Sequence, residues 1–362
     1  MIRFLHTADL HLDWSFPGLA SPLRALRRRE LITLLDELVR LAIERKVQAM
    51  IISGGVFEGS PPPMEAFLAV NEGFTRLAAA DILVFLAFSA EETARHIPEL
   101  LPPADNVKLL GGDTPTVHND LPGLTVYGFP ALPADSQPLR EFRCPSRDGL
   151  HLGVIHGCYR GLPAEGTAIF SPLAAEEIAR SGLDYLALGG CHESYVCLHG
   201  GTKAAYPGSP ARLACGQENA RGAWLVGLTE GQPELERIVL PSRRFLALDY
   251  DMSQTSLVEI RADLAQKADP EACVDVSLSG VSGGKLGFVA EDLQKNASGL
   301  FFSLNAEDRT LLKPPGDGNT LGDRFQRRLA ERLNLPDLEA HERMILTDAI
   351  RAGLAALEGG QT

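Results

Sequence analysis

Long hydrophobic runs are missing from this 362-residue chain. No apolar stretch approaches the roughly 18 residues that a membrane span needs, and Arg3, His6 and Asp9 arrive too early for the apolar core of a secretory signal. An unsecreted protein without membrane segments is expected. Basic charge is also scarce: 34 Lys and Arg stand against 47 Asp and Glu, a net charge of −13. That balance disfavours a broad basic surface for nucleic acid, although it leaves open a local groove. The six cysteines, Cys144, Cys158, Cys191, Cys197, Cys215 and Cys273, show no C-x-x-C spacing. A disulfide framework or a four-thiolate zinc site is therefore disfavoured, and a reducing cytoplasm fits. Internal repeats and low-complexity segments are absent as well.

What is present is enough apolar material for a full core, 45% of residues, consistent with one large domain and one or two small ones. Apolar runs alternate with helical periodicity through the first half. A strand is read at 2–8, then a helix opened by Ser21-Pro22 with Leu26, Leu31, Leu34, Leu38 and Leu41 inward, then a strand at 47–53. The βαβ alternation continues with a helix at 63–79 and strands at 82–87, 107–110, 124–129, 151–156 and 185–188. Near-continuous apolar strands suit a sheet covered on both faces, and ligands in such folds gather beyond the carboxyl ends of the strands. After Pro241 the texture changes to strands at 245–250, 273–278 and 300–304 with a helix at 257–267, a small α+β domain. The Gly- and Pro-bearing segment 313–319 reads as a linker before helices at 321–333 and 337–357. Those helices pack either on the chain itself or on a partner.

Asp9 and His11, two apart on a segment read as extended, would project from one face and converge on one metal ion. An Asp-x-His alone is weak evidence. Its company is more specific: "SGGVFEGSPPP" follows the second strand, "LAFSAEE" the third, "VIHG" and "ALGGCHE" two later ones, and "YPGSPARL" comes just after. In this order the five signals resemble the calcineurin-like metallophosphoesterases, and among them the DNA repair exonucleases of the SbcD and YhaO type, over about residues 1–250.

The resemblance implies an α/β fold: a four-layer sandwich of two mixed β-sheets flanked by helices (1–244), a small α+β capping domain (245–312), and a linker with C-terminal helices (313–362). It implies two divalent ions, usually manganese, that share a carboxylate bridge and activate water for phosphodiester hydrolysis. Asp9, His11 and His192 match ligands of the first ion. His156 matches a ligand of the second. The remaining positions depart from the pattern: the bridging Asp is Gly55, the last Asp of that motif is Glu58, the Asn ligand is Ala90, the proton-donating His is Glu91, and the first His of G-H-x-H is Gly190.

Two dications about 4 Å apart repel by on the order of 16 kcal/mol at an effective dielectric near 20, an upper-end figure that a shared carboxylate partly offsets. Without that bridge, and with one second-ion ligand left, a paired-metal mechanism is not expected. Asp9, His11 and His192 then form either a weak single-ion site, Mn2+ being the favoured ion, with Glu91 as a compensating ligand, or a hydrogen-bonded relic in a polar cleft. C-H-x4-C-x-H at 191–199 lacks the spacing of a zinc finger. The expected function is a scaffold or regulatory subunit with weak or no nuclease activity; the alternative is an active single-metal phosphodiesterase on DNA ends. The resemblance further implies an SbcC-like ATPase and DNA ends as partners, and a homodimer.

Overall fold

In the computed structural model the described residues are 1–59, 61–111, 115–130, 137–146, 148–162, 171–214, 217, 220–229, 233–282, 289–297, 299–312, 320–333, 342, 345–346, 349–350 and 353. The expected linker at 313–319 and most of the expected helix at 337–357 lie outside them, as does Cys215. The chain divides into two compact units, Met1–Ser242 and Arg243–Thr362.

The first unit runs β1 (Ile2–Thr7), α1 (Ser21–Glu44), β2 (Ala49–Ser53), α2 (Met64–Ala79), β3 (Leu83–Ala87), α3 (Ala90–Ala94), α4 (Ile97–Leu100) and β4 (Val107–Leu109). It continues with β5 (Thr116–Leu121), β6 (Leu124–Gly128), β7 (Leu150–His156), α5 (Ala175–Ser181), β8 (Tyr185–Gly189), β9 (Tyr195–His199), β10 (Thr202–Tyr206), β11 (Gly222–Leu228) and β12 (Glu234–Val239). Two six-stranded sheets result, in the orders β12-β11-β1-β2-β3-β4 and β5-β6-β7-β8-β10-β9. Both are mixed: β1 is parallel to β2 and antiparallel to β11, and β10 is parallel to β8 and antiparallel to β9.

The period of two along a strand explains the layering. On β1 and β2, Leu5, Met50 and Ile52 pack with Leu31, Leu38 and Leu77 of α1 and α2, whereas Phe4, Ala49 and Ile51 pack with Leu152, Val154 and Tyr185 of the second sheet. The second sheet's far face, with Ile155, Leu186 and Leu188, covers Ile178 of α5. The layers are helices, sheet, sheet and helix, the four-layer sandwich expected. The second face of the central strands is covered by another sheet rather than by a further layer of helices.

Pro22 pre-sets the first turn of α1, and the left-handed Lys46 (φ 50°) follows its end. One inward assignment on α1 is corrected: Leu26 is 42% exposed, and Arg27 takes the buried place instead. The inward stripe is 27, 31, 34 and 38, spaced by four, three and four, and Leu26 falls about 100° off it. Arg27 is tolerated inside because it donates to Glu30 Oε2 and to the Arg212 carbonyl and lies over the Phe16 ring.

The second unit contains β13 (Phe245–Asp251), α6 (Leu257–Gln266), β14 (Asp269–Ser279), β15 (Val281–Ser282), α7 (Val289–Asn296), β16 (Phe301–Asp308), β17 (Leu311–Leu312) and α8 (Leu321–Leu333). β13, β14 and β16 form a parallel sheet. Ile260, Leu264, Val276, Leu278, Leu293 and Phe301 make its core, and Ser256 with Glu259 closes a capping box at the start of α6.

Candidate metal centre

β1 ends at Thr7, so the extended path expected through Asp9 and His11 is a correction. Both residues are left-handed, with φ of 54° and 43°. Each such residue costs roughly 1–2 kcal/mol, and the loop persists because it is overdetermined. The N–H groups of Asp9, His11 and Leu12 donate to the carbonyls of Gly54, Gly55 and Val56 at 2.9, 2.8 and 3.0 Å. The Asp13 carboxylate accepts from the N–H groups of Glu58 (2.7 Å) and Gly59 (2.6 Å). The loops after the first and second strands are thus zipped together, which brings the two side chains round to the cleft.

Asp9, His11 and His192 each offer a ligand atom, and these atoms lie within 4.8 Å of one another. His11 Nε2 and His192 Nε2 are 3.1 Å apart. His11 Nδ1 stands 3.3 Å from Glu58 Oε1, an ion-pair distance without hydrogen-bond alignment. Both Asp9 carboxylate oxygens share the Gly190 N–H, at 3.1 and 3.0 Å. His192 Nδ1 meets Gln217 Nε2 at 3.1 Å, and the His192 carbonyl takes the buried Arg221, which also pairs with Glu193. Burial would depress His11, but Glu58, Asp9 and Glu92 together outweigh it and hold the imidazole above its ordinary value. Burial wins at His192, which lies below its ordinary value despite the attraction of Asp9.

The other half of the cleft is built from backbone. Gly54 and Gly55 are left-handed, and a Cβ on Gly55 would lie 2.7 Å from Asp9 Oδ1 and 2.8 Å from Asp9 Cα. Where the resemblance calls for a bridging carboxylate, the loop has closed on Asp9. His156 is buried, with Nδ1 on the Ser53 carbonyl at 2.8 Å and 3.9 Å from Asp9 Oδ1, and it is not among the three gathered donors. Ala90 opens α3 without a donor, and Glu91 is exposed and outside the group.

The neighbouring Glu92 points inward instead. Its buried carboxylate accepts from the N–H groups of Gly55 (2.9 Å), Val56 (2.7 Å), Phe57 (3.1 Å) and Ser89 (2.8 Å). Sequence reasoning missed it, although Ser89-x-x-Glu92 carries a capping-box signal. It also missed Gln217 and Arg221, which carry no motif. Beneath both halves, Ser53 Oγ bonds His6 Nε2 at 3.0 Å, and His6 Nδ1 bonds the Tyr185 hydroxyl at 2.9 Å. Burial pushes His6 down to about 3, so it is neutral.

The donor chemistry of the first position fits a single dication. Two nitrogens bound at about 2.1 Å and at right angles stand about 3.0 Å apart, close to the 3.1 Å between His11 and His192. The second position does not fit: Gly55 brings no bridging carboxylate and a Cβ there would meet Asp9, and His156 is the one remaining donor of those the resemblance assigns to that ion.

No family model matches the chain. It is similar to the uncharacterized metallophosphoesterase YhaO of Bacillus subtilis, 24% identical over 304 residues that cover 78% of this chain and 72% of that protein. It is likewise similar to the DNA double-strand break repair protein Mre11 of Methanosarcina mazei, 24% identical over 79% of this chain but only 46% of the relative. The chain therefore spans under half the length of that relative. Among solved structures, a dimetal phosphatase from Danio rerio aligns with 65% of this chain and 98% of its own at 12% identity and a TM-score of 0.42, too loose a likeness to carry an argument. Taken with the strand-end motifs and the two-sheet sandwich, these relatives support the calcineurin-like metallophosphoesterase superfamily, and within it the DNA repair exonuclease family, as the group this chain resembles.

Proposed function

We propose that this chain is a phosphoesterase-fold protein in which the dinuclear centre has lapsed, with weak or no nuclease activity, and that it acts as a scaffold or regulatory subunit. The observation that carries this reading is the close approach of Gly55 to Asp9, where a Cβ would lie 2.8 Å from Asp9 Cα and no side chain is present to bridge two ions. The replacements at Ala90, Glu91 and Gly190 point the same way, since each lacks the donor or acid that the chemistry requires. What remains for the chain's own residues is binding: Asp9, His11 and His192 would hold one divalent ion, Mn2+ by family habit, weakly, and that ion would supply charge neutralisation for a phosphate.

The second reading is an active single-metal phosphodiesterase on DNA ends, favoured by the clustering of those three donors. Hydrolysis of linear DNA and of bis(p-nitrophenyl) phosphate is measured with and without Mn2+, with His11→Ala as control. The expected result is no turnover above the control; metal-dependent turnover that the substitution abolishes overturns the scaffold reading.

The partners proposed are those of the relatives, DNA and an SbcC-like ATPase. The 245–312 domain and the C-terminal helices from 321 on would serve for docking, and loss of co-purification on deleting 313–362 is the expected result. A homodimer through α1 and α2 is proposed from Leu26, Met64 and Leu68, all exposed on those helices. Sedimentation of the full chain tests it. Among the described residues no helix is long and apolar enough to cross a membrane, and a reducing cytoplasm is proposed from six cysteines scattered without C-x-x-C spacing.

A further inference from the structure

We propose that Gln217 is a positioning residue that fixes the proton order of the Asp9–His11–His192 group and keeps His192 in the tautomer that does not bind a cation. The inference deepens the reading of a lapsed centre and rests on it for its functional meaning.

Gln217 is oriented from two sides. Its side-chain oxygen accepts from the Leu213 N–H at 2.9 Å, and its own carbonyl accepts from Arg212 Nε at 2.8 Å. The amide nitrogen is thereby turned to His192 Nδ1, 3.1 Å away. A donor at that distance requires a lone pair on Nδ1, so neutral His192 carries its hydrogen on Nε2. That hydrogen points to His11 Nε2 at 3.1 Å, which must then hold a lone pair and leave the His11 hydrogen on Nδ1, facing Glu58 Oε1 at 3.3 Å. From Gln217 to His11 Nε2 each proton has an acceptor in front of it, and the His11 Nδ1–H lies 3.3 Å from Glu58 Oε1 at an ion-pair distance only.

A cation shared by His11 and His192 would need lone pairs on both Nε2 atoms. His11 offers one already. His192 offers one only by moving its hydrogen to Nδ1, directly against the Gln217 amide group. Metal-binding histidines ordinarily give their second N–H to an acceptor, and losing that partner costs about 10- to 100-fold in affinity. Here the partner is a donor. Gln217 thus sets His192 and His11 in a hydrogen-bonded row, while the donors that could hold an ion stay gathered around it.

The test uses the full chain and Mn2+ as probe. Histidine tautomers of the metal-free protein are read by long-range 15N NMR, and Mn2+ affinity by calorimetry, for the wild type, Gln217→Glu and Gln217→Leu. Glutamate accepts from both Leu213 and a His192 Nδ1–H; leucine removes the donor without adding charge. The expected results are an Nε2–H His192 in the wild type, an Nδ1–H His192 in Gln217→Glu, and a gain in Mn2+ affinity of about tenfold or more for that variant. A smaller gain is expected for Gln217→Leu, and adding His11→Ala should remove either gain. An Nδ1–H His192 in the wild type, or equal affinities across the three proteins, overturns the proposal. Metal-dependent hydrolysis by the wild type with the tautomers as expected would instead defeat the scaffold reading and leave the role of Gln217 standing.

Discussion

The two halves of the cleft are made of different materials. Around Asp9, His11 and His192 three donors that could hold a metal ion are gathered; at Gly55 a Cβ would meet Asp9, and Ala90 and Gly190 bring no donor. On the readings proposed above, the first half differs from an ion site by the placement of a proton, the second by the donors missing at Gly55, Ala90 and Gly190 and the close approach of Gly55 to Asp9. Loss of a ligand and loss of the room for a ligand are therefore distinct states of a site, and substitution reverses only the former.

The largest effect is expected at the clamp between the halves. Glu92→Ala leaves four backbone N–H groups without their acceptor, three of them on residues 55–57. At roughly 1–3 kcal/mol for each group that stays dry, and with water reaching some of them, a loss of about 4 kcal/mol in urea unfolding is expected. A loss under about 1 kcal/mol would mean that the loop is not held by this carboxylate.

The floor common to both halves titrates next. His6 falls to about 3 from an ordinary 6.5, so between those values the unfolded chain takes up a proton that the folded one refuses. Stability should fall as the pH is lowered from about 6.5 towards 3, with a slope approaching about 1.4 kcal/mol per pH unit from this group. His6→Asn should flatten that slope in unfolding measured from pH 7 to 4; an unchanged profile would separate the acid limb from His6.

Gly55→Asp attacks the comparison directly. A side chain at a φ of 73° and against Asp9 should cost about 2 kcal/mol and add no second ion. Elemental analysis that found two manganese ions per chain in the variant would show that the second half had lost only a ligand. The smallest effect is expected at Glu91, exposed and outside the group. Glu91→Gln should change stability by under about 0.5 kcal/mol and leave Mn2+ affinity unchanged; weakened binding in calorimetry would place its carboxylate on the ion.

The strands of the first half of the chain other than β5, and α2, α6 and α8, were legible because their apolar periods are strong and their ends carry Pro, Gly or capping signals. Leu26 was misplaced because a leucine is read inward by default, while only the register of α1 decides that Arg27 occupies the buried stripe. β5 and β9 to β12 went unread: β9 alternates half-buried and exposed residues, β12 has charges interspersed, and the pairing of β11 with β1 is settled between segments distant in sequence. Glu92 was within reach from its capping box, yet that pattern says nothing of the three further N–H groups it collects from another loop.

By itself the sequence determined which donor types survive and their order along the strand ends, because those properties are local; the resemblance those motifs carry then implied the four-layer architecture. The tertiary structure alone decided that Asp9 and His11 converge through left-handed residues, that Gly55 lies against Asp9, and that Gln217 faces His192 with a donor. Each depends on the relative placement of loops remote in sequence, held by backbone hydrogen bonds that any residue can make, and such bonds leave no mark on residue type.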